Sequence, residues 1–131
     1  QIEVRNVEWK DYLVKYRNFM YPIFIIGWGA DYADPHNFIY TFMHSRGVYG
    51  RYMGYENPEV DKLCDAGIAN VDPDKRREIY HKLQDLWYTE AAANTIYQQI
   101  VVRAYRDWVH GYVPNAMLTD ANEMLMDIWK E

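Results

Sequence analysis

Two carboxylates, Asp31 and Asp34, stand in the stretch Gly27-Trp28-Gly29-Ala30-Asp31-Tyr32-Ala33-Asp34-Pro35, and their type and spacing make them the residues best placed to do chemistry. Asp34 precedes a proline, which marks a helix start: its carboxylate can accept an N–H of the first turn, and proline at the first helical position gives up only a donor that had no partner. Asp31 lies earlier, in the turn, with no helix of its own to cap. Two readings of it stand side by side, a carboxylate that holds a ligand and an Asx-turn carboxylate bonded to nearby backbone. Glycosidases place two acids about a scissile bond. Here the two are close in sequence and one is a cap, so a carboxylate-dependent glycoside hydrolase is the weaker alternative.

Other chemistries lack their residues. His36, His44, His81 and His110 form no HExxH pattern and no Cys/His pairing at zinc spacing, so no metal site is expected. The glycines are scattered rather than gathered before a helix, and no Gly-x-Ser-x-Gly elbow occurs, so neither a cofactor nor a nucleophile is expected. The single cysteine, Cys64, falls on an apolar helical stripe and reads as a small packed hydrophobe. A net charge of −5 argues against nucleic acid, which calls for a basic patch. Half of the 131 residues are apolar and a quarter charged, as in a globular domain. Thirteen tyrosines and five tryptophans offer broad, rigid contact area with a polar tip, suited to core packing or to holding peptides and sugars. A plain protein interaction domain would use such a surface equally well. No apolar run reaches the roughly 18 residues of a membrane span, and Gln1-Ile2-Glu3-Val4-Arg5 has no signal-peptide character.

The elements that must position these groups follow from periodicity. The continuous apolar run Ile23-Phe24-Ile25-Ile26 predicts a strand covered on both faces in a mostly parallel sheet, which sets Asp31 just beyond its carboxyl end, where ligands bind in α/β folds. Before it, Ile2 to Val7 alternate as a half-buried strand. Trp9, Tyr12, Leu13 and Tyr16 recur at helical spacing, and Lys15 to Asn18 end that helix. Three helices are predicted at the Asx-Pro pairs Asp34-Pro35, Asn57-Pro58 and Asp72-Pro73. Their core-facing stripes are Phe38, Ile39, Phe42 and Met43; Val60, Leu63, Cys64 and Ile68; and Ile79, Leu83, Leu86 and Trp87. Ser45 to Tyr55 reads as a loop with a short strand near Tyr52. Thr95 to Tyr105 favours pleated structure, interrupted by Gln98 and Gln99 as at a crevice or an edge strand. Met124, Leu125, Ile128 and Trp129 fit a last helical turn or a short strand.

The series "GWGADYADPHNF", "YENPEVDKL", "DPDKRREIYHKLQDLW" and "VHGY", in that order, resembles the C-terminal part of the solute-binding proteins that serve peptide, oligopeptide and nickel ABC importers, solute-binding protein family 5. The resemblance covers nearly the whole chain, but only the last quarter or so of such a protein. It implies an α/β fold that is part of a two-lobed periplasmic-binding-protein-like clamp, a mixed sheet with flanking helices. Residues 1–108 would form the later half of one ligand-binding lobe and 109–131 the return toward the other lobe. Gly27, Trp28, Gly29, Ala30 and Asp31 would be the ligand-binding segment: Trp28 as an aromatic contact, Asp31 as the partner of a peptide's α-ammonium group, and the backbone of Gly27 to Gly29 running along the ligand. The resemblance further implies a non-enzymatic protein outside the cytoplasmic membrane, in the periplasm or at the cell surface, lipid-anchored or soluble. Its partners would be a small solute, a peptide first among them, the remaining part of the same protein, and a membrane permease. Nickel complexes and sugars are also ligands in this family. Where the family usually has a proline before the later strand, this chain reads Ala91-Ala92-Ala93-Asn94. An opening in mid-strand is expected to mark a cut on the N-terminal side only, and the apolar surface so exposed is expected to favour a dimer or higher assembly.

Overall fold

The structure, a computed structural model, describes residues 3–98, 100, 102, 104–113 and 127–131. Among them the chain forms α1 (Trp9–Arg17), α2 (Pro35–Met43), α3 (Gly50–Met53), α4 (Pro58–Ala69), α5 (Pro73–Glu90), β1 (Val109–His110) and β2 (Trp129–Lys130). The two strands pair antiparallel, Val109 opposite Lys130 and His110 opposite Trp129. Gly111 lets the chain leave that pair: its φ is +79°, and a Cβ there would stand 1.8 Å from the Asp127 carbonyl oxygen. The result is a mixed α/β arrangement, helices flanking a small open sheet.

All three Asx-Pro pairs start helices as expected. Asp34 accepts from the His36 N–H, Asn57 from Glu59 and Val60, and Asp72 from Asp74 and Lys75, each with proline in the first turn. Glu90 at the far end of α5 accepts from Tyr55 and from the Asn57 amide, which ties that end back to the start of α4. Helix α5 closes on Ala91 in the left-handed conformation, φ +47°. The chain thus turns at the start of the alanine run.

The core lies between α2, α4 and α5, where Met43, Val60, Cys64, Tyr80 and Leu83 are buried and Ile39, Leu63, Ile79, Leu86 and Trp87 pack against them. Phe38 and Ile68, expected on the core face, are exposed. On α2 that space goes to Asn37, Thr41 and His44, which are buried. Cys64 does pack as a small hydrophobe, and burial, with the nearby Asp61 and Asp65 charges, pushes its thiol up to about 12. A second cluster joins α1 to the chain after it: Tyr16 is buried against Phe24, Tyr49 and Tyr52, and the Tyr12 hydroxyl donates to the Ile25 carbonyl at 2.8 Å.

One ion pair crosses the helical layer. Arg76 Nη2 donates to both oxygens of Asp34 at 2.8 Å, its Nε donates to the Gly67 carbonyl at 2.9 Å, and its guanidinium lies 5.3 Å from the Tyr80 ring centre. Burial works to raise the Asp34 carboxyl. The Arg76 hydrogen bond, the His36 N–H and the Arg76 charge outweigh it and hold the group below its usual range.

Several expected strands are absent among the described residues. Ile23 and Ile25, expected to be covered on both faces, are 72% and 63% exposed, and no backbone–backbone hydrogen bond joins residues 22–30 to another described residue. Exposure instead alternates: Ile23, Ile25, Gly27 and Gly29 face solvent while Phe24, Ile26, Trp28 and Ala30 are half-covered. That is the period of a pleated segment with one face packed, and no ladder partner stands beside it among the described residues. Residues 3–7 likewise form no strand, and Ile2 lies outside the described residues. Tyr52 sits in the single-turn helix α3, which Gly54 ends at φ +68°. Ile96, Tyr97, Gln98, Ile100 and Val102 are exposed and unassigned to any strand, because β-preference needs a neighbouring surface to pack on. Gln99 lies outside the described residues. At the C-terminal end Trp129 takes the strand alternative, while Met124 and Leu125 lie outside the description.

Two outcomes follow from this packing. In a helix interior Gly→Ala ordinarily stabilises by about 1 kcal/mol, but a Cβ on Gly67 would stand 2.9 Å from the ring of buried Tyr80. Since Arg76 and the core hold that ring, Gly67→Ala should lower the urea midpoint rather than raise it. The ion pair sets the acid limb. A carboxyl held below its unfolded-state value contributes stability that is fully present above about pH 4 and is lost as pH falls through the depressed value. Thermal melts from pH 7 to pH 2 should therefore fall more steeply for the native chain than for Asp34→Asn.

Candidate functional site

The segment 27–31 reaches the start of α2 through one buried side chain, Asn37, which sequence reasoning passed over. Its Oδ1 accepts from the Trp28 indole Nε1 at 2.7 Å and from the Asp31 backbone N–H at 3.3 Å, and its Nδ2 faces Asp31 Oδ2 at 3.4 Å. The donors decide the amide's orientation, because an indole N–H and a backbone N–H can only donate. The oxygen must therefore face them, and the amino group is left for the carboxylate. A signal was available: Asn37 follows a capped Asx-Pro start by one turn, so it faces back toward residues just before the helix. Trp28 is further fixed by an edge-on contact with Tyr49, ring centres 5.6 Å apart.

The two carboxylates prove unlike. Asp34 is both the expected cap and an ion-pair partner. Asp31 is exposed, and among the described residues no cation stands within ion-pair distance of it. A general acid needs a carboxyl that stays protonated, whereas the Arg76 guanidinium keeps Asp34 ionised. Asp34 is thus not placed to serve as the acid of a glycosidase pair. The backbone at Gly27 is open, with nothing within 4 Å of where a Cβ would be. An open groove of about 380 Å³ lies elsewhere, lined by Pro35, Val71, Pro73, Arg77 and His81 among others, and includes neither Trp28 nor Asp31.

The histidines are dispersed in role. His44 is buried, accepts the Arg46 N–H at Nδ1, and stands 3.6 Å from both Asp61 and Asp65. His36 lies tilted against Tyr40, ring centres 5.0 Å apart, and burial, ahead of the opposing Asp34 charge, pulls its pKa down. Among the described residues no group of three or more His, Cys, Asp or Glu side chains is gathered as metal ligands would be, and no helix is long and apolar enough to cross a membrane.

No protein-family model and no solved structure matches the chain. Curated proteins do. The chain is 33% identical over 96 residues, 73% of its length, to the oligopeptide-binding protein OppA of Bacillus subtilis, of which the match covers 17%. It is 27% identical over 111 residues, 85% of its length, to the periplasmic oligopeptide-binding protein OppA of Salmonella typhimurium, covering 20% of it. To the dipeptide-binding protein of Escherichia coli it is 29% identical over 115 residues, 86% of the chain and 22% of that protein. The chain thus spans about a fifth of the length of these relatives, each named for binding and none for a reaction. Over most of its length it is homologous, at moderate identity, to the peptide- and oligopeptide-binding proteins of solute-binding protein family 5.

Proposed function

We propose that this chain works as part of an extracytoplasmic solute-binding protein that captures peptides and hands them to an ABC permease. Residues 1–108 belong to one ligand-binding lobe and 109–131 return toward the other, and the pairing of β1 with β2 inside that last segment supports the division. The clamp closes by hinge motion on its solute, the bound form being selected by ligand. The observation that carries the reading is Asp31: an exposed carboxylate with no cation near it among the described residues, fixed beside an anchored indole and a stretch of backbone whose hydrogen-bonding groups no described residue engages. An α-ammonium group supplies the missing charge. These N–H and C=O groups at residues 27–30 can pair with an extended peptide as a neighbouring strand does, without regard to its side chains.

In the full-length protein, Asp31→Asn should cost peptide affinity about 2–5 kcal/mol, the loss expected when a buried charge is deprived of its partner, with the melting temperature nearly unchanged. Asp34→Ala should do the reverse, lowering stability by more than the roughly 1 kcal/mol of a lost cap, since the ion pair goes with it, while affinity is kept. Calorimetric titration with trialanine, beside melts of both variants, checks the pair. Normal binding by Asp31→Asn with a much lower melt would make that carboxylate structural and remove the amine anchor.

The 131-residue chain alone, with Ile23 and Ile25 facing solvent, is expected to self-associate and to bind trialanine poorly, because half a crevice leaves the ligand wet. Sedimentation giving a clean monomer across concentrations would count against this division of the fold.

A further inference from the structure

We infer that Asn37 is the positioning residue of this site, the side chain that sets Trp28 and Asp31 in register for a ligand it does not itself touch. The inference rests on the reading of Asp31 as the ligand's anchor, but its geometry stands independently. Asn37 is 5% exposed, so its amide is shielded from solvent and finds its partners inside the protein. The amide spends both lone pairs of Oδ1 on the two N–H groups that fix the segment and turns its amino group to the Asp31 carboxylate. Its own place is set twice over. Its backbone N–H donates to the Asp34 carbonyl at 3.1 Å, and its carbonyl accepts from the Thr41 hydroxyl. A rigid first turn of α2 therefore carries the amide, and the amide carries residues 28 and 31. The contact between Nδ2 and Asp31 Oδ2 is long, 3.4 Å, and leaves the other carboxylate oxygen unengaged by any described residue. Such an arrangement orients the carboxylate while leaving it available to a cation.

Two substitutions separate the bonds. Asn37→Asp keeps oxygen acceptors for the indole and the Asp31 N–H, and replaces only the amino group by a carboxylate oxygen. Asn37→Ala removes all three bonds. In the full-length protein, the Trp28 indole N–H, assigned by its loss in Trp28→Phe, should exchange with solvent at least tenfold faster in Asn37→Ala and keep near-native protection in Asn37→Asp. Trialanine affinity should weaken about tenfold in Asn37→Ala, against little change for N-acetyl-trialanine, which lacks the ammonium group. Native indole protection in Asn37→Ala, or equal loss of protection in both variants, would overturn the positioning role. If Asn37→Ala frees the indole while neither it nor Asp31→Asn alters trialanine binding, Asn37 still positions the segment, and it is the amine-anchor reading that fails.

Discussion

The pairing of Asp34 with Arg76 ties three helices of this chain together. One carboxylate caps α2 and accepts an arginine from α5, and the same arginine donates to a carbonyl of α4. Three helices are thereby indexed to one another at a single point. The fork of the guanidinium matters here, since one planar group meets a carboxylate and a carbonyl at once and stacks on Tyr80 besides, a combination a lysine ammonium has no geometry to make. Asn37 lies in the first turn of the helix that this carboxylate caps, bonded through its own backbone N–H to the Asp34 carbonyl, and it bonds Trp28 and Asp31 in turn.

The site that results is one-sided. Its aromatic and its carboxylate are held from behind, by Tyr49 and by the amide, while no described residue bonds the backbone of residues 27–30 or brings a cation to Asp31. Asp34 is held ionised by Arg76, and among the described residues no group of three or more His, Cys, Asp or Glu side chains is gathered as metal ligands would be.

The helices were legible because their signals are local. Asx followed by proline fixes a start within a residue, and the apolar spacing of α4 and α5 identifies Val60, Cys64 and Leu83 as core without any knowledge of partners. Strands are a different matter, since a ladder requires a neighbour. The run Ile23 to Ile26 has the composition of a buried strand but finds no ladder partner among the described residues, so composition named a tendency the chain does not fulfil by itself. Contacts set by tertiary packing were equally out of reach. Arg76 lies 42 positions from Asp34. Asn37 hides in a stripe that apolar periodicity assigns to Phe38, and polar burial of that kind becomes visible only once its partners are in place.

The seclusion of Cys64 has a practical side. This is the only thiol in the chain, fully enclosed, and burial with two neighbouring carboxylates keeps it protonated up to about 12. Alkylating reagents attack the thiolate, so at neutral pH the folded protein is in effect cysteine-free toward a maleimide dye. A single cysteine introduced at an exposed position can then carry a fluorophore with no competing label, and modification of Cys64 itself becomes a clock for the opening of the α4–α5 core.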